Sequence, residues 1–569
     1  MGACQSRSAP RPEAAVVPAE EDLDEKASFA EPHDGATSQL PARAPVVESD
    51  LDFGSLVKIW TVEATVNYAL PWQVEEQLEF TGSGFAIEGR RIVTNAHVIS
   101  QAVSVRVRRE GDAQKFEARV HAVCPEMDLA VLTVADEAFW DDGDDGGAAC
   151  ARLSGALPRI GEATTVIGYP TGGEQVSVTK GVVSRIDMQR YTGYANVEPL
   201  LVVQIDAAIN AGNSGGPVFD VRGDVIGVAF CKDATDDSDN IGYLIPAPIV
   251  GLFFGAVAMR EAAGGDAPFV VPGVAGLGVA TQPAENAHLR RHCRMAPGTT
   301  GVVVTRVAPL SPLHGKAKTG DVILAIDGVE VSNDGSVPLP DDAPPNAGKR
   351  RRRPRRVDYD HLVTSRPVGS RVIVKLHDAT TGEVRDEDVA LAAVPRLVPC
   401  FHGVDARPSY FIFGGLVFAP LSMPLVDVLD TTSYDDETTL AIRHACANAE
   451  KRDPDQQIVV LQRILVAPEC NDGYDDAHHA PSILESVDGK TVDNLRSLAD
   501  CVDAAAGDFV RFVFRSGHII ALDRRLCLKH DPDTLAMNAI PSRCSADLED
   551  PERPSAAWCG SLFLRAMRS

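Results

Sequence analysis

The sequence predicts a mainly β protein with several domains, and three observations lead to this fold class. The chain has 569 residues, which is too long for one hydrophobic core, because single domains rarely exceed about 250 residues. From about residue 54, short β-prone runs are broken by Gly, Pro and Asp. The close spacing of these runs favours barrels or sandwiches over alternating βαβ units.

The β-prone runs fall into two series within residues 53–263. The acidic, glycine-rich segment 140–147 separates the two series. Each series is long enough for about six strands, so we expect two barrels in this part of the chain.

Composition limits the functional classes. The chain is 44% hydrophobic and 24% charged, as in soluble globular proteins. Its formal net charge of −26 is the opposite of the basic balance of a general nucleic-acid binder, so no nucleic-acid partner is expected. The longest apolar run, 245–259, is shorter than a membrane span of roughly 20 residues and is interrupted by Pro246, Pro248 and Gly255. We expect it to form a buried helix.

Cysteine usage predicts an intracellular protein that is not secreted. The 12 cysteines are irregularly spaced and include no Cys-x-x-Cys pair. This pattern differs from a secreted disulfide framework and from a zinc site, so we expect reduced thiols and no metal.

The N-terminal residues 1–52 are rich in Ala, Pro, Glu and Asp, which predicts a disordered acidic tail. Gly2 and the serine at position 6 match the N-myristoylation pattern, and Cys4 offers a second acylation site. Two acyl chains would hold the protein at a membrane surface, although the match could also be coincidental. The acids at 20–25 argue against an organelle transit peptide. We therefore expect a cytoplasmic protein with lipid-anchored membrane association.

A glycine-rich turn at residues 210–217, Asn-Ala-Gly-Asn-Ser-Gly-Gly-Pro, predicts a site for acyl transfer. Its small residues allow backbone amides to point at one spot beside the hydroxyl of Ser214. A nucleophile and two amide donors for an oxyanion are what acyl transfer requires. Serine alone is a weak nucleophile, so a histidine base and an orienting carboxylate are needed as well.

His97 and Asp128 are the candidates for the base and the carboxylate. His97 follows a predicted strand, and Asp128 lies within an otherwise apolar run. A carboxylate there is costly unless it is hydrogen-bonded, and His97 can supply that bond. The order His, Asp, Ser along the chain predicts a chymotrypsin-like double β-barrel, because subtilisin and the α/β-hydrolases have other orders. A lipase or esterase is disfavoured for the same reason.

These motifs resemble the Deg/HtrA family of serine proteases, and most of all its plant and algal members with two PDZ domains. The resemblance rests on Thr-Asn-Ala-His-Val at 94–98, Asp-Leu-Ala at 128–130, Ile-Asp-Ala-Ala-Ile-Asn at 205–210 and Gly-Asn-Ser-Gly-Gly-Pro at 212–217. It implies a serine-type endopeptidase in which Ser214 attacks the peptide carbonyl, His97 is the base and Asp128 orients it. It needs no cofactor.

The resemblance also implies the surroundings of the triad. The amides of Gly212 and Ser214, with Asn213 between them, would form the oxyanion hole. A specificity pocket suited to small or medium aliphatic residues would be walled by four residues: Ala208, Ile209, Gly227 and Val228. The loop 187–199, which carries Arg190, Tyr191 and Tyr194, would act as a sensor loop. The alternative is an ordinary surface hairpin loop.

Residues 272–396 resemble a PDZ domain. By analogy, the loop Gly276-Leu277-Gly278-Val279 would bind the carboxylate of a peptide terminus. An insertion near 338–356 ends in a run of basic residues at 349–356. This run could be a nuclear localisation signal or a patch for nucleic acid or acidic lipid, or a solvated loop that contacts the protein's own acids.

Residues 397–545 resemble a degenerate second PDZ domain. Ser-Val-Asp-Gly-Lys at 486–490 repeats Ala-Ile-Asp-Gly-Val at 325–329, and residues 410–418 look like a PDZ carboxylate loop. We expect this domain to serve assembly rather than substrate capture. Residues 546–569 are predicted to be a flexible C-terminal tail.

The predicted function is ATP-independent hydrolysis of unfolded or misfolded proteins, as protein quality control. The resemblance implies a homotrimer or a multiple of trimers. The alternative from a different functional class is a proteolytically silent PDZ scaffold or chaperone. All three triad residues are present, which favours the enzyme.

Overall fold

The computed structural model describes most of the chain between residues 53 and 549. The described ranges are 53–141, 149–191, 198–230, 241–264, 269–271, 273–339, 354–400, 407–429, 437–448 and 450–549. The tail 1–52 with Gly2 and Cys4, most of the basic run 349–356 and residues 550–569 lie outside them.

Six strands form the first barrel. They are β1 (Leu56–Glu63), β2 (Leu78–Ile87), β3 (Arg91–Thr94), β4 (Ala102–Arg109), β5 (Phe116–Cys124) and β6 (Leu129–Thr133). The order is β5-β4-β1-β2-β3-β6, and pairing between β5 and β6 closes the sheet. Apolar side chains such as Ile59, Val105 and Leu132 fill its interior. This alternation of inward apolar and outward polar residues is what the sequence pattern predicts.

Six further strands form the second barrel. They are β7 (Ala163–Gly168), β8 (Ser177–Gln189), β9 (Leu200–Ile205), β10 (Pro217–Phe219), β11 (Val225–Phe230) and β12 (Gly242–Pro246). The sheet closes in the order β10-β11-β12-β9-β8-β7. The predicted mainly β fold with a chymotrypsin-like double barrel is confirmed.

The second barrel leads into helix α1 (Ala247–Ala262). The prediction of a buried helix at 245–259 was partly wrong. Pro246 precedes the helix and Pro248 lies in its first turn, where a missing N–H costs no hydrogen bond. Phe253 and Val257 are buried against the barrel, whereas the side chain of Met259 is 63% exposed. The helix is therefore a surface helix with one buried face.

The first PDZ domain follows a short strand, β13 (Phe269–Val270), which pairs in parallel with β5. Its elements are β14 (Val279–Pro283), α2 (Ala287–His292), β15 (Val302–Val307), β16 (Val322–Ile326), β17 (Val329–Glu330), β18 (Ser336–Pro338), β19 (Arg356–Asp358), α3 (His361–Thr364), β20 (Arg371–His377) and β21 (Val384–Ala390). The main sheet has the order β14-β15-β16-β20-β21. Strands β18 and β19 pair with each other, so the described residues on the two sides of the basic insertion lie next to each other.

The second PDZ domain has a sheet in the order β22-β23-β24-β25-β27-β28. Its elements are β22 (Phe411–Phe413), β23 (Leu416–Pro420), α4 (Met423–Val428), α5 (Glu437–Asn448), β24 (Val459–Ile464), α6 (Asp476–His479), β25 (Ser482–Val487), β26 (Lys490–Thr491), α7 (Leu495–Asp503), β27 (Phe509–Phe514), β28 (Ile519–Asp523), α8 (Arg524–Met537) and α9 (Ala546–Glu549). Helix α9 shows that the first residues of the expected flexible tail are helical. The domain boundaries at 53–263, 272–396 and 397–545 stay proposals.

The second PDZ domain contacts the first barrel through the loop between β1 and β2. The side-chain amide of Gln462 donates to the carbonyls of Tyr68 and Ala69 at 2.7 and 2.8 Å. Trp72 packs edge to face on Tyr410, with ring centroids 5.6 Å apart. These contacts join residues almost 400 positions apart in the sequence.

Within the described ranges, the helices are too short or too polar to cross a membrane.

The glycine pair at 414–415, in the loop expected to bind a carboxylate, is already occupied from within the chain. The amide of Gly414 donates to Oδ1 of Asp531 in α8 at 2.9 Å. Burial raises the pKa of the Asp531 carboxyl to about 6. An amide that is bonded to this carboxylate is not available to the terminus of a peptide. The contact supports the expectation that this domain does not capture substrate.

This buried acid leads to a prediction for pH-dependent stability. The folded-state pKa of Asp531 lies above its ordinary value of 3.8, so folding is disfavoured progressively as the pH rises from about 4 to about 6. Asp531→Asn keeps an oxygen that can accept from Gly414 and carries no charge. We expect this variant to stabilise the second PDZ domain at pH 8 by about 1–3 kcal/mol, with a smaller gain at pH 5.

Calorimetric unfolding of the full chain measures this gain. Asp533→Asn, at an exposed position of the same helix, is the matched control and should change the transition little. Equal or lower stability of Asp531→Asn at pH 8 would contradict the prediction.

Candidate active site

His97 is held at the end of β3, on a short 3₁₀ turn that begins at this residue. Its Nδ1 lies 2.8 Å from Oδ2 of Asp128 and 3.0 Å from Oδ1. Its backbone amide donates to the same Oδ1 at 3.0 Å. A carboxylate accepts here, so the neutral ring carries its proton on Nδ1 and keeps its lone pair on Nε2. The ring can therefore take a proton on its outer side.

Asp128 precedes β6 rather than interrupting a strand. It caps the 3₁₀ turn Pro125–Met127 in a left-handed conformation, with φ of 49°. Its carbonyl accepts from the side-chain amide of Asn95 at 2.9 Å. Only 8% of Asp128 is exposed, so water weakens its bonds to His97 little.

Ser214 lies on the second barrel, in a turn bound to the first barrel. Its carbonyl accepts from the amide of Ser83 in β2 at 2.9 Å. A Cβ at Gly215, which has φ of +85°, would lie 2.1 Å from the carbonyl oxygen of Ser83 and 2.4 Å from Oγ1 of Thr94. Thr94 is three residues before His97. The turn that carries the serine is thus packed against the end of the strand that leads to the histidine.

The peptide groups around Gly212 are held in fixed orientations. The carbonyl of Ala211 accepts from the amide of Thr171 at 2.7 Å. The carbonyl of Asn213 accepts from the amide of Gly216 at 3.0 Å. In a trans peptide the N–H points opposite to the C=O. The amides of Gly212 and Ser214 therefore point away from these two donors, as a pair of oxyanion donors requires.

The remaining peptide group of the turn has a different role. The carbonyl of Gly212 accepts from the hydroxyl of Ser83 at 2.7 Å, and the amide of Asn213 donates to the carbonyl of Asn210 at 3.0 Å. Among the three residues predicted for the oxyanion hole, Asn213 therefore uses its amide for a hydrogen bond inside the turn. It acts as a spacer between Gly212 and Ser214.

Two of the four residues predicted for the specificity pocket follow β9 and the other two lie on β11, on either side of β12 in the second barrel. Ile209 and Val228 are 8% and 0% exposed, so both side chains belong to the barrel core. A Cβ at Gly227 would lie 2.3 Å from the carbonyl of Ile245, and Ala208 is half-buried. The predicted sensor loop is described only in part, since Tyr194 lies outside the described residues, while Tyr191 is buried against Phe230.

The predicted peptide-binding loop of the first PDZ domain faces the protease barrel. The amide of Gly276 donates to the carbonyl of Ala392 at 2.9 Å, and Leu277 is buried. A Cβ at Gly276 would lie 3.3 Å from a carboxylate oxygen of Glu198, which also forms an ion pair with Arg396. Val279 begins β14. In this conformation, a carboxylate from the chain itself lies beside Gly276.

Sequence reasoning assigned no role to Ser83, although the structure places it at the centre of the site. It is fully buried, and its hydroxyl accepts from the amide of Tyr169 at 2.8 Å while donating to Gly212. The available signal was a serine between two glycines in an otherwise apolar strand. Such a hydroxyl is costly to bury without partners.

The comparisons with known proteins agree with this geometry. Residues 82–228 match the model of the trypsin-like peptidase domain, and residues 398–547 match that of the PDZ domain. In Arabidopsis thaliana, "Protease Do-like 4, mitochondrial" is 33% identical over 90% of this chain and 90% of its own length. "Protease Do-like 2, chloroplastic" is 35% identical over 87% of this chain and 76% of its own.

More distant matches are of the same kind. "Serine protease DegP homolog" of Plasmodium falciparum is 28% identical over 79% of this chain and 58% of its own length. Among solved structures, the HtrA-type protease AlgW with a decapeptide covers 61% of this chain and 97% of its own, at 22% identity and a TM-score of 0.42.

These relatives also correct one expectation. The prediction of a cytoplasmic protein, anchored to a membrane by Gly2 and Cys4 or imported into the nucleus by the run 349–356, was wrong. The two Arabidopsis relatives described above, which match nearly the whole chain, are named as a mitochondrial and a chloroplastic protein. The acidic residues at 20–25 argue against an organelle transit peptide only through composition. Composition is too weak a guide for that conclusion.

A buried carboxylate fixes the histidine, a serine lies on a rigid turn against the same strand end, and relatives of known class match almost the whole length. The chain belongs to the Deg family of Do-like proteases and is a serine protease.

Proposed function

We propose that this protease hydrolyses unfolded or damaged proteins without ATP, with Ser214, His97 and Asp128 as its catalytic triad. The observation that carries the proposal is the His97–Asp128 pair, at 2.8 Å, beside a serine turn whose peptide groups are all held by hydrogen bonds. A preorganised site of this kind stabilises a developing oxyanion without reorganising during the reaction.

The proposed mechanism has two halves. Oγ of Ser214 attacks the peptide carbonyl, and Nε2 of His97 takes the hydroxyl proton. The tetrahedral oxyanion accepts hydrogen bonds from the amides of Gly212 and Ser214. His97 then gives its proton to the leaving amine, which departs and leaves an acyl-enzyme. Water attacks the ester with His97 again as base, and the acid product and free serine are released. Asp128 stabilises the imidazolium throughout.

The PDZ domains would guide assembly and substrate access. The family resemblance supports a homotrimer or a multiple of trimers, which sedimentation equilibrium of the 60.6 kDa chain would measure. The predicted pocket residues support cleavage after small or medium aliphatic residues. Among these four residues, Ala208 is the one with a side chain that is only half-buried.

We place the protein in a mitochondrion or chloroplast, as the names of its relatives support. A fluorescent fusion at the C-terminus of the full chain should coincide with an organelle marker, and deletion of residues 1–52 should disperse it. Fluorescence that stays diffuse in the full-length fusion would contradict this location.

Substitution of the nucleophile tests the chemistry. Ser214→Ala should lower casein hydrolysis by several orders of magnitude, because the triad works as a unit. Ser184→Ala, at an exposed position of β8, is the control and should cleave as the wild type does. Equal cleavage by wild type and Ser214→Ala would end the assignment, and absence of cleavage in both would favour a silent scaffold.

Substitution of the carboxylate tests the orientation of the base. Asn at position 128 can present an N–H to Nδ1 of His97, which moves the ring proton to Nε2 and removes the base. Asp128→Asn should therefore lower kcat by about 10³–10⁴-fold. Asp136→Asn changes the cap of a similar exposed 3₁₀ turn and should leave kcat unchanged. A loss of less than tenfold in Asp128→Asn would exclude this role.

A further inference from the structure

A short turn between β7 and β8 controls how the Ala211–Gly212 peptide is oriented. In this turn the amide of Gly173 donates to the carbonyl of Pro170 at 3.0 Å. Gly172 has φ of +82°, as expected for the third residue of a type II turn. Thr171 is the second residue of the turn, so the turn itself does not use its amide.

The amide of Thr171 forms its hydrogen bond outside the turn. It donates to the carbonyl of Ala211 at 2.7 Å. The next residue, Gly212, has φ of +93°, and a Cβ there would lie 2.6 Å from the nitrogen of Thr171. The turn and the serine loop are therefore in backbone contact. A shift of the turn by an ångström would release the carbonyl and let the proposed oxyanion amide rotate.

A buried lysine from the other barrel holds this turn. Nζ of Lys58, in β1, donates to the carbonyl of Gly173 at 2.8 Å. Lys58 is 2% exposed, although its carboxylate partner Glu174, at 3.1 Å, is 68% exposed. The ammonium also lies 5.0 Å from the ring centroid of Trp60 and 5.6 Å from that of Tyr169.

A lysine at this position is costly, which argues for a specific purpose. An ammonium loses several kcal/mol of hydration when it is buried, and its partners must offset that loss. A methionine would fill a similar space without this cost. Among the contacts that a methionine could not replace, the bond to the Gly173 carbonyl is the one made to the backbone of the turn. The chain of contacts runs from Lys58 to Gly173, across the turn to Thr171, and on to Ala211.

We propose that Lys58 is a positioning residue of the proteolytic reaction, which holds the turn 170–173 so that the amide of Gly212 faces the oxyanion. This inference rests on the proposed function of Gly212 as an oxyanion donor. The simpler alternative is that Lys58 only joins the two barrels. That alternative predicts lower stability with unchanged kcat in the folded enzyme.

Steady-state kinetics of the full chain on a fluorogenic peptide separate the two roles. Lys58→Met should lower kcat by roughly 10- to 100-fold, because misplacing an oxyanion donor weakens transition-state binding. KM should change less than about twofold, because an oxyanion donor acts on a charge that develops only in the transition state. Inhibition by a peptide boronate, whose boronate mimics the oxyanion, should weaken by the same factor as kcat.

Two matched controls isolate the bond to the carbonyl. Lys115→Met removes a second lysine from the same Trp60 ring, 3.7 Å from its centroid, at an exposed site. Glu174→Gln removes the ion pair and leaves the bond from Lys58 to Gly173. Both controls should keep kcat within about twofold of the wild type.

A second variant keeps the proposal testable if Lys58→Met fails to fold. Thr171→Pro replaces the donor N–H with a ring carbon that displaces the Ala211 carbonyl, at an exposed position where the second residue of a type II turn accepts proline. It should reproduce the loss of kcat and of boronate affinity while leaving Lys58 in place.

The outcomes distinguish this inference from the proposed function. If Ser214→Ala is inactive and Lys58→Met folds and keeps the wild-type kcat, only the positioning role of Lys58 is overturned, whatever the effect of Thr171→Pro. A loss confined to KM, or an equal loss of kcat in Lys115→Met and Glu174→Gln, would overturn it as well. If Ser214→Ala retains activity, the proposed function itself fails.

Discussion

The contact between Ser83 and the 212–215 turn is the interaction on which the active site depends. His97 and Asp128 belong to the first barrel and Ser214 to the second, so neither barrel contains all three residues of the proposed triad. The backbone and hydroxyl of Ser83 bond to the carbonyls of Ser214 and Gly212 at 2.9 and 2.7 Å. Because these are backbone carbonyls with fixed geometry, the contact sets both the distance between the barrels and the direction of the serine turn.

The same contact explains why the loop is made of such small residues. At Gly215, any side chain would collide with the carbonyl of Ser83, and at Gly212 with the carbonyl of Tyr169, 2.4 Å away. Close backbone contact on both sides leaves no room to rotate, so the amides are held in place before substrate binds. Rigidity of this kind is the basis of electrostatic preorganisation.

The first PDZ domain is attached close to Asp128. The carboxylate of Glu126, two residues before Asp128, accepts from the amide of Val274 in the connecting segment at 2.7 Å. The segment covers Glu126 closely, since a Cβ at Gly273 would lie 2.5 Å from a carboxylate oxygen of Glu126, and this burial raises the pKa of the carboxyl. Two residues further on, Gly276 lies beside Glu198, near the end of the predicted sensor loop. The connecting segment, the sensor loop and the turn before Asp128 therefore meet at one place.

The sequence by itself determined the fold class, the family and the three triad candidates. Strand periodicity and turn residues are local properties, and the order His97, Asp128, Ser214 distinguishes one protease architecture from others. Composition failed to predict the cellular location of the protein, because the acidic residues of the N-terminal tail did not exclude an organelle. The tertiary structure alone decided which distant groups support the site. Lys58 and Gly173 are 115 residues apart, Ser83 and Gly212 are 129, and Tyr68 and Gln462 are 394. Such contacts arise only when separately formed barrels and domains pack together, and the packing of their surfaces leaves no periodic pattern in the chain.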